Sequence, residues 1–178
     1  MKRIATIAGI VSAAAFAVLA YKYFFKTNKN DSNMSTNSNS NGANLPRGYR
    51  NNNPLNIRIN SANNWAGKVT PNTDGAFEQF TSMAYGFRAA FVLIRKYINV
   101  DGRNTVALII DKWAPDNEND TNKYISDVCY WSGFSPNTVI NPYNQTQMCK
   151  LVYAMAIKEN GYAPNMSDVT AGWNLYIG

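Results

Sequence analysis

The sequence predicts a mostly helical α+β domain with a small β-hairpin near its start, preceded by one N-terminal transmembrane helix. Three observations carry this. An 18-residue run without a charge, Ile4 to Tyr21, lies near the start of the 178-residue chain. A tract dominated by Asn and Ser follows it. From Pro46 onward, segments with helical periodicity and recognisable caps outnumber a single alternating stretch.

Residues 1–26 are expected to form the anchor. With Phe24 and Phe25 beyond Lys22, the apolar stretch reaches the length needed to cross a bilayer core of roughly 30 Å. Tyr21, Tyr23, Phe24 and Phe25 suit an aromatic belt, and Lys22, Lys26 and Lys29 can reach the headgroups. A cleaved signal peptide ending at Val18-Leu19-Ala20 is the other reading, although the aromatic and lysine cluster after Ala20 suits an interface better than a mature terminus. Positive charge flanks both ends, so the orientation stays open. Residues 27–45, TNKNDSNMSTNSNSNGANL, hold too little apolar surface to offset their ordering entropy. They are expected to act as a flexible tether with a mean span of about 25 Å.

The formal charge is +6, but residues 46–178 hold 12 Lys/Arg against 10 Asp/Glu. Most of the basic excess therefore flanks the apolar run, which points to lipid headgroups and away from nucleic acid. Histidine is absent, which excludes imidazole-dependent nucleophilic sites and His-ligated zinc. No metal or cofactor is expected, and any hydrolysis must run on carboxylates, lysine or tyrosine. Cys129 and Cys149 fit either a disulfide outside the cytoplasm or two small buried apolar residues.

Within residues 46–178, Trp65 to Phe80 reads as a hairpin: WAGKV, a turn at PNTDG, then AFEQF. Alternation sets Glu78 on the face opposite Phe77. Helices are predicted from Met83 to Asn99 after Ser82, and from Val106 to Trp113 after Asn104. Two more run from Asn122 to Trp131, stopped by Gly133, and from Gln147 to Asn160, stopped by Gly161. The proposed starts are Asp120 or Thr121 for the first of these, and Asn144 or Thr146 for the second. A last short helix is placed around Ser167 to Trp173.

The strings GYRNNNPLNIR, WAGKVTP, FEQFTSMAYGFRA, WAPDNENDTNKYI and AMAIKENG resemble a group of bacteriophage and bacterial proteins described as phage structural proteins. The match runs from roughly Arg47 to Trp173. The domain also resembles the lysozyme superfamily of lytic transglycosylases and glucosaminidases, which cut peptidoglycan glycan strands. NNNPLNIR followed by a hairpin and FTSMAYGFRAAFVLIRKY is similar to the glucosaminidase branch, and ENDTNKYISDV to a transglycosylase segment. In that superfamily the catalytic Glu ends a helix that precedes the Asn-Asn motif, yet no Glu lies upstream of Asn51. LVYAMAIKENGYAP, at the other end of the chain, looks like that catalytic helix. The resemblance therefore implies a circularly permuted lysozyme-like domain in which Glu159 packs beside residues 51–58.

Breaking a glycosidic bond requires a protonated carboxyl, helped by a second carboxylate or a substrate amide. Glu159 is expected in the first role and Glu78 in the second, with Glu118 as a further catalytic candidate. Asn51, Asn52, Asn53, Asn56 and Arg58 are candidates to bind the substrate's N-acetyl and other polar groups, Tyr124 to close the cleft, and Trp65 and Trp113 to stack on sugar rings. Each has a plainer alternative. Glu159 fits a solvated helix end, Glu78 an exposed strand residue paired with Lys68, and Glu118 a helix-start residue. Asn51 to Asn56 fit a turn network, and the tryptophans fit the core. The expected partners are peptidoglycan glycan strands and a lipid membrane, with capsid proteins as a further candidate and no nucleic acid. The alternative function is a non-enzymatic virion protein linking an internal membrane to the capsid or binding glycan.

Overall fold

Six helices and three isolated β-bridges make up the architecture of the computed structural model, which describes residues 45–117 and 120–178. The helices are α1 (Arg47–Arg50), α2 (Met83–Asn99), α3 (Val106–Trp113), α4 (Thr121–Ser132), α5 (Gln145–Asn160) and α6 (Met166–Ile177).

Local chemistry explains most of these boundaries. The Thr105 hydroxyl accepts from the Leu108 amide at 3.3 Å, Asp120 from the Lys123 amide at 2.9 Å, and Asn144 from the Gln147 amide at 3.0 Å. Each satisfies one of the donors that a helix start leaves over. Gly133 and Gly161 end α4 and α5 in the left-handed conformation, at φ 72° and 64°. Ser82 precedes α2 without a side-chain cap, and α3 is capped by Thr105 instead of Asn104. The single turn of α1 was not anticipated, and α6 runs further than expected, to Ile177.

Helix α5 is the centre of the domain. Met148, Cys149, Leu151, Val152, Ala154, Met155, Ala156 and Ile157 are all buried, so its apolar surface extends around most of its circumference. Helices α2 and α6 form the broadest helix–helix contact. Phe91 meets Trp173 edge-to-face at 5.5 Å, and Trp173 lies 5.0 Å from Tyr176. Gly172 permits the approach, because a Cβ there would stand 2.5 Å from the Phe87 Cβ and 2.9 Å from the Ala84 carbonyl oxygen.

The expected hairpin is replaced by a looser arrangement. Arg58 bridges Phe77 and Lys68 bridges Phe80, both antiparallel, and among the described residues no pairing extends into a regular strand. Residues 76–80 are thus flanked on both sides. The Glu78 amide donates to the Ile57 carbonyl at 2.8 Å and the Val69 amide to the Gln79 carbonyl at 2.8 Å. Pro71, which has no N–H, and the turn around Asp74 interrupt the ladder.

The anchor predicted for residues 1–26 and the tether predicted for residues 27–45 lie outside the described residues, apart from Leu45 at the tether's end. Among the described residues no helix is long and apolar enough to cross a membrane. Cys129 and Cys149 are free thiols, so the disulfide alternative is not realised. Burial pushes the Cys149 thiol up to about 11.

Gly172→Ala is expected to lower stability by about 1–3 kcal/mol through overpacking of α6 on α2. Thermal unfolding of both proteins checks this. An unchanged melting temperature would show that the two backbones can separate without cost.

Candidate functional site

The last turn of α5 presents Glu159 beside two aromatic side chains and the loop that follows α1. Its Oε1 accepts from the Tyr124 hydroxyl at 2.7 Å and from the Trp113 indole Nε1 at 3.1 Å. Its Oε2 accepts from the Asn56 amide nitrogen at 3.0 Å. All three donors are neutral. Oε1 has both lone pairs engaged, whereas Oε2 keeps one acceptor position.

The donors are themselves held. Thr121 donates to the Ala114 carbonyl at 2.5 Å, joining the start of α4 to the end of α3, so that Tyr124 and Trp113 reach the same carboxyl. Tyr124 is buried, and that burial, with the Glu159 carboxyl beside it, pushes its phenol well above the ordinary value. It stays protonated and donating. Lys158 binds Asp127 at 2.6 Å, and Lys123 binds the same carboxylate at 2.9 Å, which pins α5 to α4. Chiefly through Lys158, this pair holds the Asp127 carboxyl below its ordinary value.

Glu159 lies on the wall of an open groove of about 690 Å³. Asn56, Arg58, Asn60, Tyr97 and Trp113 line it too, and among the described residues Glu159 is the acid there. Trp113 presents its ring beside Tyr97, with centroids 6.3 Å apart. Arg58 is exposed and lies over the Phe77 ring at 5.5 Å. An acceptor oxygen, amide groups and an aromatic wall in one groove suit a polar, hydroxyl-rich ligand.

The asparagines divide. Asn53 is fully buried and spent on the backbone: its amide nitrogen donates to the Ile57 and Glu78 carbonyls, both at 2.9 Å, and its oxygen accepts from the Ile57 amide at 2.9 Å. Asn51 donates to Asp74 at 2.7 Å, and Asn52 to the Phe80 carbonyl at 3.0 Å. These three form the turn network, and Asn56 alone among the four reaches the groove.

Glu78 is not brought to the groove. It is fully buried, with Lys68 3.1 Å from its Oε2, and it also accepts from the Asn60 amide at 3.4 Å. The pairing with Lys68 is the one weighed from the sequence, but its Glu78 end is buried and not on an exposed strand, while Lys68 is half-buried. Tyr124 supports Glu159 from within and does not close the groove. Trp65 is 9% exposed and belongs to the core. Glu118 lies outside the described residues. Sequence reasoning did not single out Tyr97, Asn60, Asn160 or the Asp127 pair. Their only advance signal was position on helices or loops next to recognised motifs.

Fold and groove together define a class: a mostly helical domain whose central helix ends in an acid held by neutral donors on a polar groove wall. The chain belongs to the same family as protein P5 of Pseudoalteromonas phage PM2, with 36% identity over 135 residues, covering 73% of this chain and 82% of that protein. No protein-family model matches the chain.

The loop geometry makes a pH prediction. Arg47 grips Asp74 through two bonds of 2.7 and 2.8 Å, and Asn51 and the Phe77 and Ala76 amides add more, so its carboxyl is held well below the usual range. A lowered folded value means stability that is present above the ordinary carboxylate value and lost as pH falls through the folded one. Urea midpoints are expected to drop between about pH 5 and about pH 2, and Asp74→Asn to shrink the drop. An equal drop in the variant would place the acid sensitivity elsewhere.

Proposed function

We propose that this protein is a phage-encoded enzyme that cleaves peptidoglycan glycan strands, with Glu159 as its acid. The observation that supports this is the position of Glu159 on the groove wall, carried by the last turn of α5 and bonded to Asn56 of the loop that opens the domain. A circularly permuted lysozyme-like domain requires that arrangement, with the acid-bearing helix late in the chain and the Asn motif early.

With Glu78 sequestered by Lys68, the groove offers one carboxyl, which favours a lytic transglycosylase over hydrolysis by two carboxylates. Glu159 gives its proton to the leaving glycosidic oxygen as the bond to the anomeric carbon breaks. The sugar's own primary hydroxyl then bonds to that carbon and returns its proton to Glu159. Asn56 orients the carboxyl, Trp113 offers a face to a sugar ring, and Arg58 and Asn60 meet the substrate's polar groups. An N-terminal anchor and tether would hold the domain at high effective concentration beside the wall, in a virion membrane or the host envelope.

One observation favours a second reading. The burial of Glu78 removes a catalytic partner that many glycosidases need, which suits a non-enzymatic virion protein that links an internal membrane to the capsid or binds glycan.

Purified host cell walls separate the two. The wild-type protein is expected to reduce their turbidity and release anhydro-sugar ends, and Glu159→Gln to slow clearing by about 100-fold or more. A fold-intact Glu159→Gln variant that clears as fast as wild type would remove Glu159 from the role of acid. A wild-type protein that never clears the walls would leave the structural reading.

A further inference from the structure

The groove continues past the wall that bears Glu159. A second hollow of about 410 Å³ adjoins it, and Asn60, Asn63, Leu93 and Tyr97 line both. The two hollows therefore form one continuous surface, and a strand lying along the first reaches the second.

The second hollow differs in charge. Lys96 from α2 and Lys112 from α3 both line it, both are exposed, and among the described residues neither has a carboxylate partner. Elsewhere among the described residues, Lys68 is paired with Glu78 and Lys158 with Asp127. Trp65 forms part of its floor, with its indole Nε1 buried in the core and turned to no acceptor among the described residues. Among the described residues, two exposed ammonium groups thus stand in the hollow against one carboxylate, that of Asp101. Two ammonium groups on neighbouring helices, beside a groove for neutral sugar, suit an anionic substituent carried by the sugar chain.

We infer that this outer hollow binds the carboxylates of the peptide stems on the glycan strand, so that peptide-bearing strands are preferred to bare ones. The inference rests on the glycan-cleaving reading and names the form of the strand that the enzyme takes. Its volume admits a short peptide and not a folded partner. Lys96 and Lys112 lie outside the groove wall that carries Glu159, so they act on binding and leave proton transfer untouched.

The test uses the full-length protein in detergent, in the Glu159→Gln background so that walls are bound without being cut. Retention is measured on intact walls and on walls stripped of their stem peptides by an amidase. Intact walls are expected to retain the protein better than stripped ones. Lys96→Ala with Lys112→Ala is expected to weaken retention on intact walls by about five- to tenfold, as two exposed charge contacts would, and to leave stripped walls unaffected. Equal retention of both proteins on intact walls overturns the inference, as does an equal loss on both kinds of wall. If the wild-type protein clears intact and stripped walls at the same rate, the inference falls and the glycan-cleaving function stands. If it neither binds nor clears either, both fall.

Discussion

The arrangement depends on a knot between the first loop of the domain and the last turn of its central helix. Asn160 donates both to Ala156 in its own helix, at 2.9 Å, and across to the Pro54 carbonyl, at 2.7 Å. Asn56 returns the contact to Glu159. Gly48 makes the junction possible, since a Cβ there would strike the Asn160 side-chain oxygen and stand 2.8 Å from the Asn53 carbonyl and 2.9 Å from the Asn56 oxygen. Both side-chain oxygens are buried without a hydrogen-bond partner, and each faces the bare Cα of Gly48. Weak C–H···O contacts are the compensation available to them.

From that knot the site follows by packing. A helix buried on most sides has little freedom to slide, so its final turn is set by the core and not by the groove. The carboxyl at its end meets neutral donors, whose own positions are set by burial at Tyr124 and by the Thr121 bond to Ala114 at Trp113. A cation against Glu159 would bind it as a closed ion pair, as Arg47 does to Asp74. Neutral donors orient the group and leave one oxygen position open to a ligand.

Much of the helical framework was legible because caps and stops are local chemistry: Asp120, Asn144, Gly133 and Gly161 act where their types predict. The hairpin was less so. Alternation correctly separates Glu78 from Phe77, but periodicity cannot say which face meets water. With neighbours on both sides of residues 76–80, the Glu78 face became interior. The asparagine run posed a similar limit. Its residues are chemically alike, and only three-dimensional placement divides Asn53, bonded to three backbone groups, from Asn56, bonded to the acid. The supporting roles of Tyr124 and Thr121 depend on contacts between α3, α4 and α5, which no single segment encodes.

The pair of fully buried Glu78 and half-buried Lys68 carries an evolutionary corollary. Loss of Lys68 strands the fully buried Glu78 carboxyl without its partner, a far larger penalty than replacing both by apolar groups of similar shape. Substitution of Lys68 should therefore be rare without a matching change at Glu78. Across distant descendants the two sites are expected to drift as a couple, an inheritance pattern imposed by dielectric exclusion and independent of whatever the groove binds.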